Sequence, residues 1–186
     1  MSEVLRPESA LAVLVPEAEV LVGSFRLRHD PGAGIGMPAH ITVLYPFRSP
    51  GAIDEAVLQG LHALFRGFPA FDFGLTAIRR FPDQAVYLAV EPEEPFRRLT
   101  LAVWKAFPDA PPYGGRYAAI VPHLTIARWR QQLPGEEAHL ARVAEAFAEA
   151  ASGALPIHCR AGAITLLDAR QGQRWQTRTS FPLGER

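Results

Sequence analysis

His40-Ile41-Thr42-Val43 and, further along, His123-Leu124-Thr125-Ile126 are one pattern written twice: histidine, a branched aliphatic, threonine, a branched aliphatic. Each reads as a strand, and successive side chains on a strand point to opposite faces. His40 and Thr42 then share one face and Ile41 and Val43 the other. The polar pair can line a cleft while the apolar pair is held in a core. In a chain of this composition the pattern arises by chance in roughly one case in a hundred, and twice far more rarely. Duplication separates these two histidines from His29, His62, His139 and His158, which have no such partner and read as surface or packing residues.

Working outward from the motifs, the chain repeats an order of elements. Leu11 to Val15 reads as a strand, and Glu17 to Arg28 as a helix with Val20, Leu21, Phe25 and Leu27 on its apolar side. The glycine- and proline-rich loop Asp30 to Pro38 delivers the chain to the first motif strand, Ala39 to Tyr45. Asp54 caps a helix carrying Val57, Leu58, Leu61, Leu64 and Phe65 on one side. Phe71 to Arg79 and Ala85 to Val90 follow as a hairpin around Phe81-Pro82-Asp83-Gln84. The second cycle has a helix from Pro95 to Phe107, a loop from Asp109 to Tyr117 and the second motif strand, Ile120 to Trp129. A helix from Glu136 to Ala151 follows, then strands Ile157 to Leu167 and Arg174 to Phe181 around Gln171-Gly172. Both cycles read helix, loop, motif strand, helix, two strands.

The motifs stand 83 residues apart, too far for a solenoid repeat. Two intimately packed, pseudo-symmetric lobes within one 186-residue domain are expected, with an internal two-fold bringing the motif strands face to face. No linker rich in serine or charge divides the halves.

Breaking a phosphodiester requires a base to take the proton of the attacking water and an acid to protonate the leaving oxygen. Two histidines on opposite sides of the phosphorus do both, one neutral and one protonated, with a rate that is bell-shaped in pH. The threonine hydroxyls, on stiff β-branched side chains, are placed to stabilise charge on the non-bridging oxygens. The scheme calls for no cofactor and no metal. Zinc would need a third ligand, and no His-x₃-His or carboxylate run adjoins either motif.

Composition narrows the partners. Nineteen basic and nineteen acidic residues give zero formal net charge, which argues against a surface that grips long nucleic acid but leaves a small nucleotide or an RNA end. Cys159 is the one cysteine, so there is no internal disulfide, and its strand-like neighbours make it a buried, inert thiol. The apolar run Ala10 to Val15 is flanked by glutamates and is neither a signal peptide nor a membrane span. A cytoplasmic monomer with no membrane association is expected.

The paired motifs and the order of elements resemble the 2H phosphoesterase superfamily, in particular the bacterial proteins called 2′-5′ RNA ligase-like or LigT-like, over Leu11 to Leu183. The resemblance implies an α+β, bilobal fold with two mainly antiparallel sheets, flanking helices and a central cleft. It implies metal-independent opening of a cyclic phosphodiester, such as a 2′,3′-cyclic nucleotide or RNA end. His40 and His123 become the catalytic pair, and Thr42 and Thr125 the phosphate-binding pair. Relatives often carry an aromatic soon after the first motif, for which Tyr45 and Phe47 are candidates, and Arg128 falls where His-x-Thr-x-Ala-Arg runs place an arginine. Alternation puts both Tyr45 and Arg128 on the face opposite the histidines unless the strands bulge.

Other residues admit a bland reading beside the functional one. Tyr117, in Pro111-Pro112-Tyr113-Gly114-Gly115-Arg116-Tyr117, could stack a base or simply pack the loop. Trp104 reads as core, Trp129 and Trp175 as core or cleft wall, and Asp83 and Asp168 as turn residues. Reversible RNA ligation through a 2′-5′ linkage and a non-catalytic nucleotide-binding module are the alternative functions. Which histidine is base and which acid is not assigned by the sequence.

Overall fold

The computed structural model describes residues 8–81, 84–128, 136–170 and 173–184. Eight strands, β1 (Glu8–Leu14), β2 (His40–Leu44), β3 (Phe71–Phe81), β4 (Ala85–Glu91), β5 (His123–Arg128), β6 (Ile157–Ala161), β7 (Ala163–Ala169) and β8 (Gln176–Pro182), form one sheet. Their order is β6-β3-β4-β5-β2-β1-β7-β8, and every pairing between them is antiparallel. The two expected sheets are present as two four-stranded halves, joined edge to edge where β2 meets β5 through the pair Ile41 and Leu124. The motif strands therefore lie side by side at the centre rather than facing each other across a gap.

The half-sheets are not the two halves of the chain. β2 and β1 are continued by β7 and β8 from the C-terminal part, and β5 and β4 by β3 and β6. The stretch read as one strand, Ile157 to Leu167, is broken at Gly162, and its two pieces pair at opposite ends of the sheet. One residue spans at most about 7 Å between the Cα atoms that flank it, so the sheet must curl until its ends approach. Residues near the C-terminus close the seam: the Ala70 N–H donates to the Gly184 carbonyl (3.0 Å) and the Gly184 N–H to the Phe68 carbonyl (2.7 Å). A β-carbon at Gly184 would stand 2.5 Å from the Arg66 carbonyl oxygen, so the close approach demands glycine there.

Among the described residues five α-helices accompany the sheet: α1 (Glu19–His29), the single turn α2 (Pro31–Gly34), α3 (Glu55–Arg66), α4 (Glu94–Ala106) and α5 (Glu136–Ala150). The Asp54 side chain caps α3, accepting from the Val57 N–H at 2.9 Å, and Val57, Leu61 and Phe65 are buried as their spacing predicts. α1 packs against β5 and α4 against β2, so each leans across the joint onto the motif strand of the other half. Leu11, Val13, Ile41, Val43, Leu124 and Ile126 meet the helices in one core.

The apolar side of α1 differs from its sequence reading. Val20 and Leu27 are 98% and 68% exposed, while Val22 and Arg26 are buried. A buried arginine shifts the inward face by a fraction of a turn, which periodicity of apolar residues does not register. Trp104, read as core, stands 41% exposed on α4. Trp129, Asp83 and the Gln171-Gly172 turn lie outside the described residues. Among the described residues no helix is long and apolar enough to cross a membrane.

Ile41 is fully buried at the joint, so Ile41→Ala is expected to lower unfolding stability by about 2–5 kcal/mol, measured from urea midpoints. Gly162→Ala is expected to change the midpoint little, since nothing lies within 4 Å of an added β-carbon there.

Candidate active site

Pairing Ile41 with Leu124 in antiparallel register sets His40 across from Thr125 and Thr42 across from His123. Ile41 and Leu124 both point into the helical core, so the four polar residues share the other face. Directly opposed β-carbons are about 5 Å apart and diagonal ones about 7–8 Å. The four side chains thus mark a small rectangle, histidines on one diagonal and threonines on the other.

Both imidazoles are oriented the same way. His40 Nδ1 lies 2.8 Å from the Pro38 carbonyl oxygen and His123 Nδ1 lies 2.7 Å from that of Val121. A carbonyl can only accept, so Nδ1 carries the proton in each ring and Nε2 is the basic nitrogen. Burial holds the pKa of His40 down at about 4; Arg26 and Arg128 push in the same direction, and the bond to Pro38 opposes them. His123 is lowered too, first by burial and then by Arg128, against the pull of its bond to Val121. Both shifts favour the neutral imidazole at pH 7.

Each motif strand carries a β-bulge just after its threonine. The register of β1 with β2 steps from Ala12 opposite Thr42 to Leu11 opposite Leu44, leaving Val43 as the extra residue. The register of β4 with β5 steps from Tyr87 opposite Thr125 to Val86 opposite Ala127, leaving Ile126 extra. Val43 with Leu44, and Ile126 with Ala127, are consecutive buried pairs, so alternation resets and Tyr45 and Arg128 emerge on the face of the histidines. The Val43 carbonyl accepts a 2.7 Å hydrogen bond from Thr100 Oγ1 of α4, which supports the bulge from within the core.

Arg128 is exposed, and its charge bears on His40, His123, Tyr45 and Tyr113 together. Tyr45 Oη donates to Glu8 Oε2 at 2.6 Å, and burial followed by this bond pushes the phenol pKa up. Phe47 is buried with its ring edge-on to Phe107, so it is a core residue. Tyr117 is 53% exposed and sits on the rim, its hydroxyl donating to Gln84 Oε1 at 3.0 Å.

Several residues around the rectangle have no signal in the sequence. Phe81 and Tyr87 stack with ring centroids 4.2 Å apart and both present themselves to the His123 ring, at 5.0 and 5.2 Å. Trp175, which the sequence offered as core or cleft wall, is partly buried and packs with Ala12, Leu14, Met37 and Leu167 on the β1 side, its ring centroid 6.3 Å from that of Tyr45. Tyr113, at φ 52°, is held by its N–H donating to the Tyr45 carbonyl at 2.6 Å. The loop from 111 to 117 is therefore tied to β2 through Tyr113 and to the β3–β4 end through Tyr117. Only the neighbours of β5 in the sheet would have pointed to Tyr87, and that adjacency is a tertiary fact.

Other clusters lack this convergence. A groove of about 720 Å³ lined by Asp72, Thr76, Glu91, His158, Cys159 and Arg160, among others, holds none of the motif residues. Asp168 is buried 3.9 Å from Arg178. Among the described residues no three His, Cys, Asp or Glu side chains gather as a metal site.

Solved structures carry the same fold. TT0787 of Thermus thermophilus is 18% identical, with 96% of this chain and 100% of that one covered and a TM-score of 0.63. E. coli LigT complexed with 3′-AMP is 17% identical, with coverage of 96% and 99% and a TM-score of 0.60. E. coli LigT complexed with ATP is 17% identical, with coverage of 97% and 100% and a TM-score of 0.53. No curated protein matches in sequence. The 2′-5′ RNA ligase superfamily model matches residues 14–173 and so takes in both motifs; with its LigT-like fold, the chain belongs to this superfamily, the 2H phosphoesterases.

Proposed function

We propose that the protein hydrolyses a cyclic phosphodiester, a 2′,3′-cyclic nucleotide or RNA end, by acid–base catalysis through His40 and His123. The observation that carries this reading is the register at the joint, which sets two histidines and two threonines on one face with both Nδ1 atoms committed to carbonyls. With the phosphorus between the rings, the neutral imidazole takes a proton from water on its Nε2. The other ring, protonated on Nε2, delivers it to the departing ribose oxygen. An anionic phosphodiester between the rings favours uptake of the proton the acid needs. Thr42 and Thr125 donate to the non-bridging oxygens and Arg128 balances the charge they gain. The complex of LigT with 3′-AMP supports a ligand of nucleotide chemistry. The superfamily's name supports 2′-5′ RNA ligation as a second reading, in which an RNA 5′-hydroxyl stands in place of water, attacks the phosphorus and displaces the ribose 3′-oxygen.

Hydrolysis of a 2′,3′-cyclic nucleotide panel in EDTA tests the proposal. Turnover is expected to survive the chelator and to fall about 10²–10⁴-fold in His40→Ala and in His123→Ala. No turnover on any cyclic nucleotide or cyclic-phosphate RNA end would overturn it. Thr42→Val and Thr125→Val keep the side-chain shape but lose the hydroxyl, and each is expected to lower kcat about 10²–10³-fold.

As pH falls the base is lost when it takes a proton, and as pH rises the acid is lost when it gives one up. Because burial holds both rings below the ordinary 6.5, with His40 at about 4, kcat/KM is expected to peak on the acid side of 6.5. A kcat/KM still climbing above pH 7 would contradict this.

A further inference from the structure

Each motif histidine follows a segment clamped by an arginine from the preceding long helix. Arg26 on α1 donates from Nη2 to the Met37 carbonyl at 3.0 Å, and Arg97 on α4 donates from Nε to the Ile120 carbonyl at 3.0 Å. Met37 and Ile120 both stand three residues before their histidine. The carbonyl that receives Nδ1–H stands two residues before it, at Pro38 and Val121. Each arginine is itself braced by acidic groups, Arg26 by Asp30 at 3.0 Å and Glu19 at 3.8 Å, and Arg97 by Glu93 one turn earlier. The same contact at the same offset in both repeats, although the loops that lead to the two histidines differ in length and sequence, points to a common task.

From this repetition we infer that Arg97 is a positioning residue for His123. By fixing the Ile120 carbonyl it holds the Ile120–Val121 backbone, and so the acceptor that keeps the proton on Nδ1 and Nε2 toward the phosphate. The inference rests on the acid–base reading of His123. The Arg97 side chain bonds the Ile120 carbonyl and Glu93 and none of the four motif residues. Its side chain is 45% exposed, so it can be replaced without emptying the core, whereas removing Arg26 would strand the buried Asp30.

Arg97→Gln and Arg97→Met separate this role from charge and from packing. The Gln amide nitrogen is as many bonds from Cα as Nε, so it can donate to the Ile120 carbonyl, while Met has the same reach and no donor. Arg97→Met is expected to lower kcat about ten- to a hundredfold on the best cyclic nucleotide, with KM changed less than about twofold. In long-range ¹H–¹⁵N spectra the Nδ1–H share of the His123 ring should drop while His40 is unmoved. Arg97→Gln is expected to recover most of both, and Arg98→Ala, which removes a neighbouring charge, to change neither. A Met variant with wild-type kcat and an unaltered His123 ring would overturn the inference, as would a Gln variant as impaired as Met. If the unmodified protein turns over no cyclic phosphodiester, the functional reading fails, but the His123 ring in the Met and Gln variants still decides the positioning role.

Discussion

The molecule is organised around one antiparallel contact, Ile41 against Leu124, at which its two half-sheets meet. Burying that pair in the helical core obliges the flanking residues to face the other way, and the flanking residues are the histidines and threonines. Core packing and site assembly are thus one constraint. A slip of one strand by one residue in this register would send its own histidine and threonine into the core and its aliphatic residue toward solvent, an alternative that both burial and hydrogen bonding oppose. The crossed helices, α1 on β5 and α4 on β2, press on the joint from behind.

The site is more symmetric in its backbone than in its chemistry. Equivalent bulges after Thr42 and Thr125 turn out a tyrosine in one half and an arginine in the other. Tyr45 is tied to Glu8, while Arg128 lies within electrostatic reach of both imidazoles. The surroundings differ as well: Phe81 and Tyr87 stand beside His123, and Trp175 packs with Met37 and Leu167 on the β1 side. A ligand entering this face meets a cation on one side of the rectangle and a neutral phenol on the other, so its two possible orientations differ in energy.

The motif pairs and the order of elements were legible in the sequence because each depends on local periodicity. The α3 helix is the plainest case, with its Asp54 cap and its buried Val57, Leu61 and Phe65. What escaped depends on long-range pairing. Strict alternation put Tyr45 and Arg128 on the wrong face because a bulge is set by the neighbouring strand, β1 or β4, and leaves no mark in the six residues it affects. Arg26 broke the apolar pattern of α1 because its burial is made possible by Asp30 and by the Met37 carbonyl. The division at Gly162 was hidden for a related reason: both pieces are strand, and only their partners differ.

The interleaving of the chain through the half-sheets bears on how the protein can be made. β1 leaves the ribosome before the other seven strands, yet one of its two neighbours, β7, comes from residues 163–169. β3 likewise waits for residues 157–161 of β6. Neither half of the sheet can be completed during synthesis until residues 157–182 have emerged, and the pairings that complete it join residues far apart in sequence, the class of contact that forms slowly. Until residues 157–182 have emerged the nascent chain therefore carries unfinished strand edges, a condition prone to aggregation.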